Sequence, residues 1–183
     1  ATDRDGEGDC AARARALAGD DPAAAYDRAL RGHAARWRRF WSASAIELAD
    51  GAMEAAWYRD LFALNTHIRA GAQAPGLCAN VAPYDKSPWH GVYTVNMNIQ
   101  KMFLASLPTR HAEWIECYAD WLDFMMPSFE HLCRLIFGFE GIYSVHMLVP
   151  HVPPHRQANS NQCGRALGMT GWHGQPLWWH WQF

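Results

Sequence analysis

Apolar positions recur along this chain at steps of three and four in several separate stretches, the pattern of helices that bury one face. Asp21-Pro22 offers an N-cap followed by a proline at the first helical position, and Tyr26, Leu30, Ala34, Trp37 and Trp41 descend one face behind it. A helix is predicted there over about residues 22–41. Asp50 is placed to cap a second helix carrying Met53, Trp57, Leu61, Leu64 and Ile68 on one stripe, with Gly71 just past its end. Ile46 and Leu48, between the two, suit a short extended piece. Ile99, Met102, Phe103 and Leu107 predict a helix that runs until Pro108, and Trp114, Cys117, Trp121 and Met125 predict the next. Pro127 is expected to open a further short helix through Phe129, Leu132 and Ile136 that stops at Gly138. Pro176 to Phe183 reads as the start of an apolar, Trp-rich helix.

Between these periodic stretches the chain is irregular over 71–95 and 139–172. Structureless loops of such length are uncommon unless they serve a function. Residues 1–20 combine an acidic, glycine-containing start with an Ala and Arg run that has helix propensity but little apolar stripe. That segment is expected to be weakly ordered, with one domain over residues 21–183.

The densest gathering of rings and neutral amides is Trp89-His90-Gly91-Val92-Tyr93-Thr94-Val95-Asn96-Met97-Asn98-Ile99-Gln100. Gly91 suits a tight turn or a close backbone approach, and Tyr93, Thr94 and Val95 favour an extended passage. Asn96 and Asn98 reach one pocket only if the chain is irregular there and the helix starts at about Asn98. A polar loop followed by an N-cap is the plainer alternative from residue types alone.

The spacing Trp89, Tyr93-Thr94, Asn96, Asn98 and Ile99-Gln100 resembles the active-site segment of glycoside hydrolase family 95. The likeness extends to Arg39-Phe40-Trp41 with Ser44 and Ile46, to Trp57-Tyr58, and to Gly168-Met169-Thr170-Gly171-Trp172 with Trp178 and Trp179, over roughly residues 31–183. Val92 stands where members often carry an acidic or polar residue. The resemblance implies an all-α fold, the helical hairpins of an incomplete (α/α)6 barrel with long irregular loops, and an inverting exo-glycosidase acting on alpha-linked L-fucose or a related sugar. It further implies that Asn96 and Asn98 are catalytic, positioning the attacking water together with a carboxylate from later in the family's chain. Trp89, His90, Tyr93 and Trp172 would bind an oligosaccharide or glycoside substrate. A chain without the acid and base carboxylates would be inactive by itself. A non-catalytic carbohydrate-binding remnant and another six-hairpin carbohydrate-active enzyme, such as a phosphorylase, are the competing readings.

Composition narrows this picture in few places. With 183 residues, half of them hydrophobic and 19% charged, the chain is globular in character. Its 16 basic and 18 acidic residues give no electrostatic case for a nucleic-acid partner, the arginines from Arg13 to Arg39 reading as a solvated helix face. Ten tryptophans suit the apolar faces of sugars as well as a core. No apolar run is long enough to span a bilayer, so no membrane partner is expected. Five cysteines, widely spaced, predict buried thiols, with no disulfide framework or zinc motif. His146, His151 and His155 fit no ligand spacing, and no metal or other cofactor is expected. Among local carboxylates Glu140 is the leading candidate for a functional acid and Asp85 the second, while Glu116, Asp120 and Asp123 read as a wet helix stripe. The chain begins with alanine, which a removed signal sequence or an incomplete reading frame would each explain. The compartment is left open, a secreted or periplasmic one included.

Overall fold

The structure is a computed structural model that describes residues 9–77, 88–149 and 168–183. It is mostly helical and forms two compact units, 1–45 and 46–183.

In the first unit Asp9 caps α1 (Cys10–Ala18) by accepting from the Ala11 N–H at 2.8 Å, and Gly19, at φ 73°, ends it. This helix buries none of its residues. Asp21 caps α2 (Pro22–Ala43), accepting from the Ala23 and Ala24 N–H groups at 3.0 Å each, with Pro22 where a missing N–H costs nothing. The apolar stripe expected along α2 is packed only near its end. Tyr26 and Leu30 are exposed, while Phe40 is buried with its ring centroid 5.4 Å from that of Trp37 and 4.7 Å from that of Trp41. Phe40 lies about 60° round the helix from Trp37, on the side away from Trp41, so the buried position falls to one side of the expected stripe.

In the second unit Asp50 caps α3 (Gly51–His67) through the Ala52 and Met53 N–H groups. The preceding segment lies along α3, because the Tyr58 hydroxyl accepts from the Ile46 N–H and donates to its carbonyl, and Glu54 accepts from the Leu48 N–H at 2.8 Å. Met53, expected on the buried stripe, is exposed; Leu61, Asn65 and Ile68 are the buried positions.

The core is built on α5 (Trp114–Phe137). Trp114, Tyr118, Trp121, Met125, Phe129 and Leu132 are all buried, in steps of three or four that make one stripe, with Cys117 buried beside it. Pro127 lies inside this single helix and starts no new one. It sits on the exposed side, where the carbonyl one turn back that it leaves unserved meets water instead of core. Gly138, at φ 76°, closes the helix by donating to the Arg134 carbonyl.

Two further differences from expectation concern helix length. The helix after the motif, α4 (Asn98–Phe103), ends four residues before Leu107, where the chain turns and the Ser106 hydroxyl takes up the Phe103 carbonyl at 2.6 Å. The last helix, α6 (Gly168–Gln182), starts eight residues before Pro176, its glycine-rich first turns having no local signal for a helix. Among the described residues the helical character is interrupted by one antiparallel ladder, β1 (Tyr93–Thr94) on β2 (Met147–Leu148), with Tyr93 opposite Leu148 and Thr94 opposite Met147. Helices α4, α5 and α6 pack on one another, and α4 packs on β1.

Candidate functional site

The motif stretch is held at both edges. Its 3-10 turn, Pro88–Gly91, contains Trp89 at φ 53°, a left-handed conformation rare for a bulky residue, with the indole 68% exposed. His90 belongs to this turn, its side chain lying outside the described part. Val95 donates to the His146 carbonyl at 2.9 Å and extends the β1–β2 pairing, and the Gln100 carboxamide reaches back to the Val95 carbonyl at 2.8 Å. Between them residues 95–97 form a turn, and α4 begins at Asn98, the register in which two asparagines two apart need not diverge. Met97, and not Asn96, occupies the N-cap position, with no side-chain cap bond. Asn96 and Asn98 are both half-buried, and the Asn96 Oδ1 is buried without a partner among the described residues. Trp172 is half-buried in α6.

Tyr93 is drawn inward. Its ring, 4% exposed, stacks on Trp121 at 5.3 Å with the planes 5° apart. Its hydroxyl donates to the Ala74 carbonyl and accepts from Gln73 Nε2 at 2.7 Å. These bonds fasten the strand to the segment that follows α3, and a concavity of about 510 Å³ opens beside them. Thr66, His67, Arg69, Gln73, Gly91 and Tyr93 bring it hydroxyl, imidazole, guanidinium, amide and backbone groups, and no carboxylate among the described residues lines it. Its size is within the range of small-molecule sites, about 300–1,000 Å³.

Two devices shape this concavity. Gly76 lies so close to the motif that an added Cβ would stand 2.6 Å from the Gly91 carbonyl oxygen, and Leu77 donates to the Val92 carbonyl at 3.1 Å. Only glycine permits that approach. The turn Arg69–Ala72, closed by the Ala72 N–H on the Arg69 carbonyl at 3.1 Å with Gly71 at φ 73°, is tied to α5 by the Cys117 thiol, which donates to the Ala72 carbonyl at 3.2 Å. Burial pushes the Cys117 thiol up, the Arg69 backbone opposes this and Asp120 adds to it, so the group is a neutral structural donor. A smaller hollow of about 220 Å³ shares Ala72 and Gln73 with the first and adds Asp120, Trp121 and the half-exposed ring of Phe124.

Neither hollow is lined by Asn96, Asn98, Trp89 or Trp172. Residues Thr66, His67, Arg69 and Gln73 were not singled out from the sequence. The one local signal was the long loop starting at Gly71 with its Pro75-Gly76 pair.

A second polar cluster is wholly internal. His173, on α6, bridges the Tyr118 hydroxyl of α5 at 2.7 Å through Nδ1 and the Ser144 Oγ at 2.8 Å through Nε2. Ser144 in turn donates its N–H to Thr170 Oγ1 at 3.1 Å. Burial lowers the His173 pKa to about 4 and raises that of Tyr118, so at neutral pH both are uncharged, and one imidazole nitrogen donates while the other accepts. Ser144 is fully buried, which makes the chain of bonds a fastening between α5, α6 and the strand-side loop.

Glu140, the leading acid from the sequence, is a surface group: its side chain is 80% exposed and pairs with Arg134 at 3.1 Å. The two glycines beside it made a buried turn plausible, but the helix has already ended at Gly138 and the side chain turns to solvent. Asp85, His151, His155, Cys78 and Cys163 lie outside the described residues. Cys117 and Cys133 are buried thiols and Cys10 is half-buried. Among the described residues no three His, Cys, Asp or Glu side chains gather as a metal site, and no helix is long and apolar enough to cross a membrane. Compared with protein-family models, curated proteins and solved structures, the chain matches none of them.

Proposed function

We propose that this chain supplies a sugar-binding portion of an alpha-L-fucosidase-like glycoside hydrolase, its helices forming part of an (α/α)6 barrel. The observation that carries this reading is the polar concavity beside the motif strand. Sugars are recognised by neutral donors and acceptors held rigidly around a hollow, with aromatic groups at the rim. Gln73 and Tyr93 are fixed by their mutual bond, Thr66 and His67 stand at the end of α3, and Phe124 presents its ring in the adjoining hollow. Inverting hydrolysis requires two carboxyl groups about 6.5–9.5 Å apart. Among the described residues no carboxylate lines the polar concavity, so the reading assigns binding to these residues and leaves the acid and base to another part of the enzyme. Asn96 and Asn98 line neither hollow, so in this reading they orient water or a hydroxyl only at a part of the site that the rest of the enzyme completes, since neutral amides cannot serve as strong bases.

Titration of the chain with methyl alpha-L-fucoside, followed by amide chemical shifts, tests this. Shifts at Gln73, Gly91 and Tyr93 that vanish in Gln73→Ala are expected, with no release of phenol from an aryl alpha-L-fucoside. Absence of any saccharide-dependent shift near the concavity defeats the reading. Turnover by the chain itself defeats the assignment of the acid and base elsewhere.

A further inference from the structure

We propose that the concavity beside Arg69 binds the negatively charged group of an acidic saccharide, a carboxylate or a sulfate ester. This rests on the reading of that hollow as a sugar site and specifies what kind of sugar it takes.

Among the described residues Arg69 makes no ion pair, in contrast to Arg15, Arg59 and Arg134, each of which faces a carboxylate. Among the described residues that line the same concavity there is no carboxylate. A guanidinium offers up to five N–H donors in a planar fork that fits the paired oxygens of a carboxylate or sulfate. The turn that carries it is not loose: the Ala72 N–H closes it on the Arg69 carbonyl, Gly71 takes the left-handed position, and the Cys117 thiol anchors it to the core helix. Arg69 is therefore presented on a fixed base, which lowers the ordering cost of binding.

Two nearby features oppose an anion. The carbonyl end of α3 at His67 carries a partial negative charge of about half a unit. Arg69 brings a full positive charge on a reaching side chain, so the sum beside it stays positive. The other is Asp120, which lines the adjoining hollow and not this one. Its charge repels an anion placed there, and this orients the ligand. The charged group lies at Arg69, and the apolar face of a neighbouring ring lies toward Phe124. His67 supports the same site: its Nδ1 is buried with no partner among the described residues, a deficit that a ligand oxygen can relieve after a small ring movement.

The test compares four probes on the full chain by calorimetry at low salt: methyl alpha-L-fucoside, its mono-O-sulfate, a methyl galacturonide and that galacturonide's methyl ester. At least one charged probe is expected to bind about tenfold more tightly than its neutral counterpart, with the margin shrinking as salt rises. The margin should disappear in Arg69→Gln and survive in part in Arg69→Lys, both folded by circular dichroism because the side chain is exposed. A margin for sulfate alone, for carboxylate alone or for both names the group and supports the proposal. Equal binding of charged and neutral probes, or a margin that Arg69→Gln leaves intact, overturns it while the sugar-site reading stands. Binding of none of the four overturns both.

Discussion

Helices α5 and α6 are both rich in large apolar residues and both contain a proline, yet the protein treats them oppositely. In α5 most of the rings and aliphatic groups fall on one face, and eleven positions are buried, while Phe124 and Leu135 stay exposed. In α6 the tryptophans are spread round the axis. His173 and Pro176 are its buried residues, while Trp178 and Trp181 are exposed at 54% and 75%. Apolar content does not decide burial here; angular distribution does. A stripe can be covered by one partner, whereas a helix that is apolar all round needs partners on several sides. What docks α6 among the described residues is largely polar and specific, the His173 bridge from Tyr118 to Ser144.

The contrast is broken most forcefully at Trp121, which stacks on Tyr93 and packs near His173 with its ring 5.6 Å away. Trp121→Ala should cost about 3–5 kcal/mol of unfolding free energy and loosen the motif strand with it. Urea denaturation measures the loss, and a change under about 1 kcal/mol would show that α5 is not the central support claimed here.

Protonating His173 should come next. In the unfolded chain this imidazole titrates near 6.5, and in the folded protein at about 4. Between those values the unfolded chain holds a proton that the folded one lacks, so stability falls as pH drops from about 6.5 to about 4 and then levels off. It is fully present above 6.5. The difference between wild type and His173→Gln across that window should be on the order of 3 kcal/mol. Parallel pH profiles for the two proteins would place the acid sensitivity elsewhere.

The smallest effect is expected at Trp181, as exposed as it is aromatic. Trp181→Ala should alter stability by no more than about 0.5 kcal/mol. A larger loss in thermal unfolding would mean that α6 is packed through its rings, and the distinction between the two helices would fail.

Much of the helical layout was legible locally. Asp21 and Asp50 were placed as caps from residue type and the following pattern, and both cap bonds are made. The α5 stripe from Trp114 to Met125 followed from period alone. Helix lengths were harder, because Pro127 and Pro176 read as boundaries whenever the neighbouring packing is unknown. Pro127 is tolerated because it faces water, a fact about surroundings and not about the residue. Glu140 misled for a similar reason: flanking glycines mark a turn but do not say which way its side chain points.

The sequence by itself determined where α2 and α3 could begin, which stripe of α5 had to be buried, and that Tyr93 and Thr94 would run extended, since each depends on neighbours within a turn or two. Only the tertiary structure decided that Tyr93 would bond Gln73 twenty positions away, that His173 would join Tyr118 across fifty-five, and that Gly76 would meet Gly91. Those pairings leave no periodic trace, because a contact between distant segments is chosen by the whole packed chain and constrains each partner only at a single residue. The concavity beside Arg69 belongs to this second kind. No stretch of sequence contains it, and it exists only where the end of α3, the Gly71 turn and the motif strand are brought side by side.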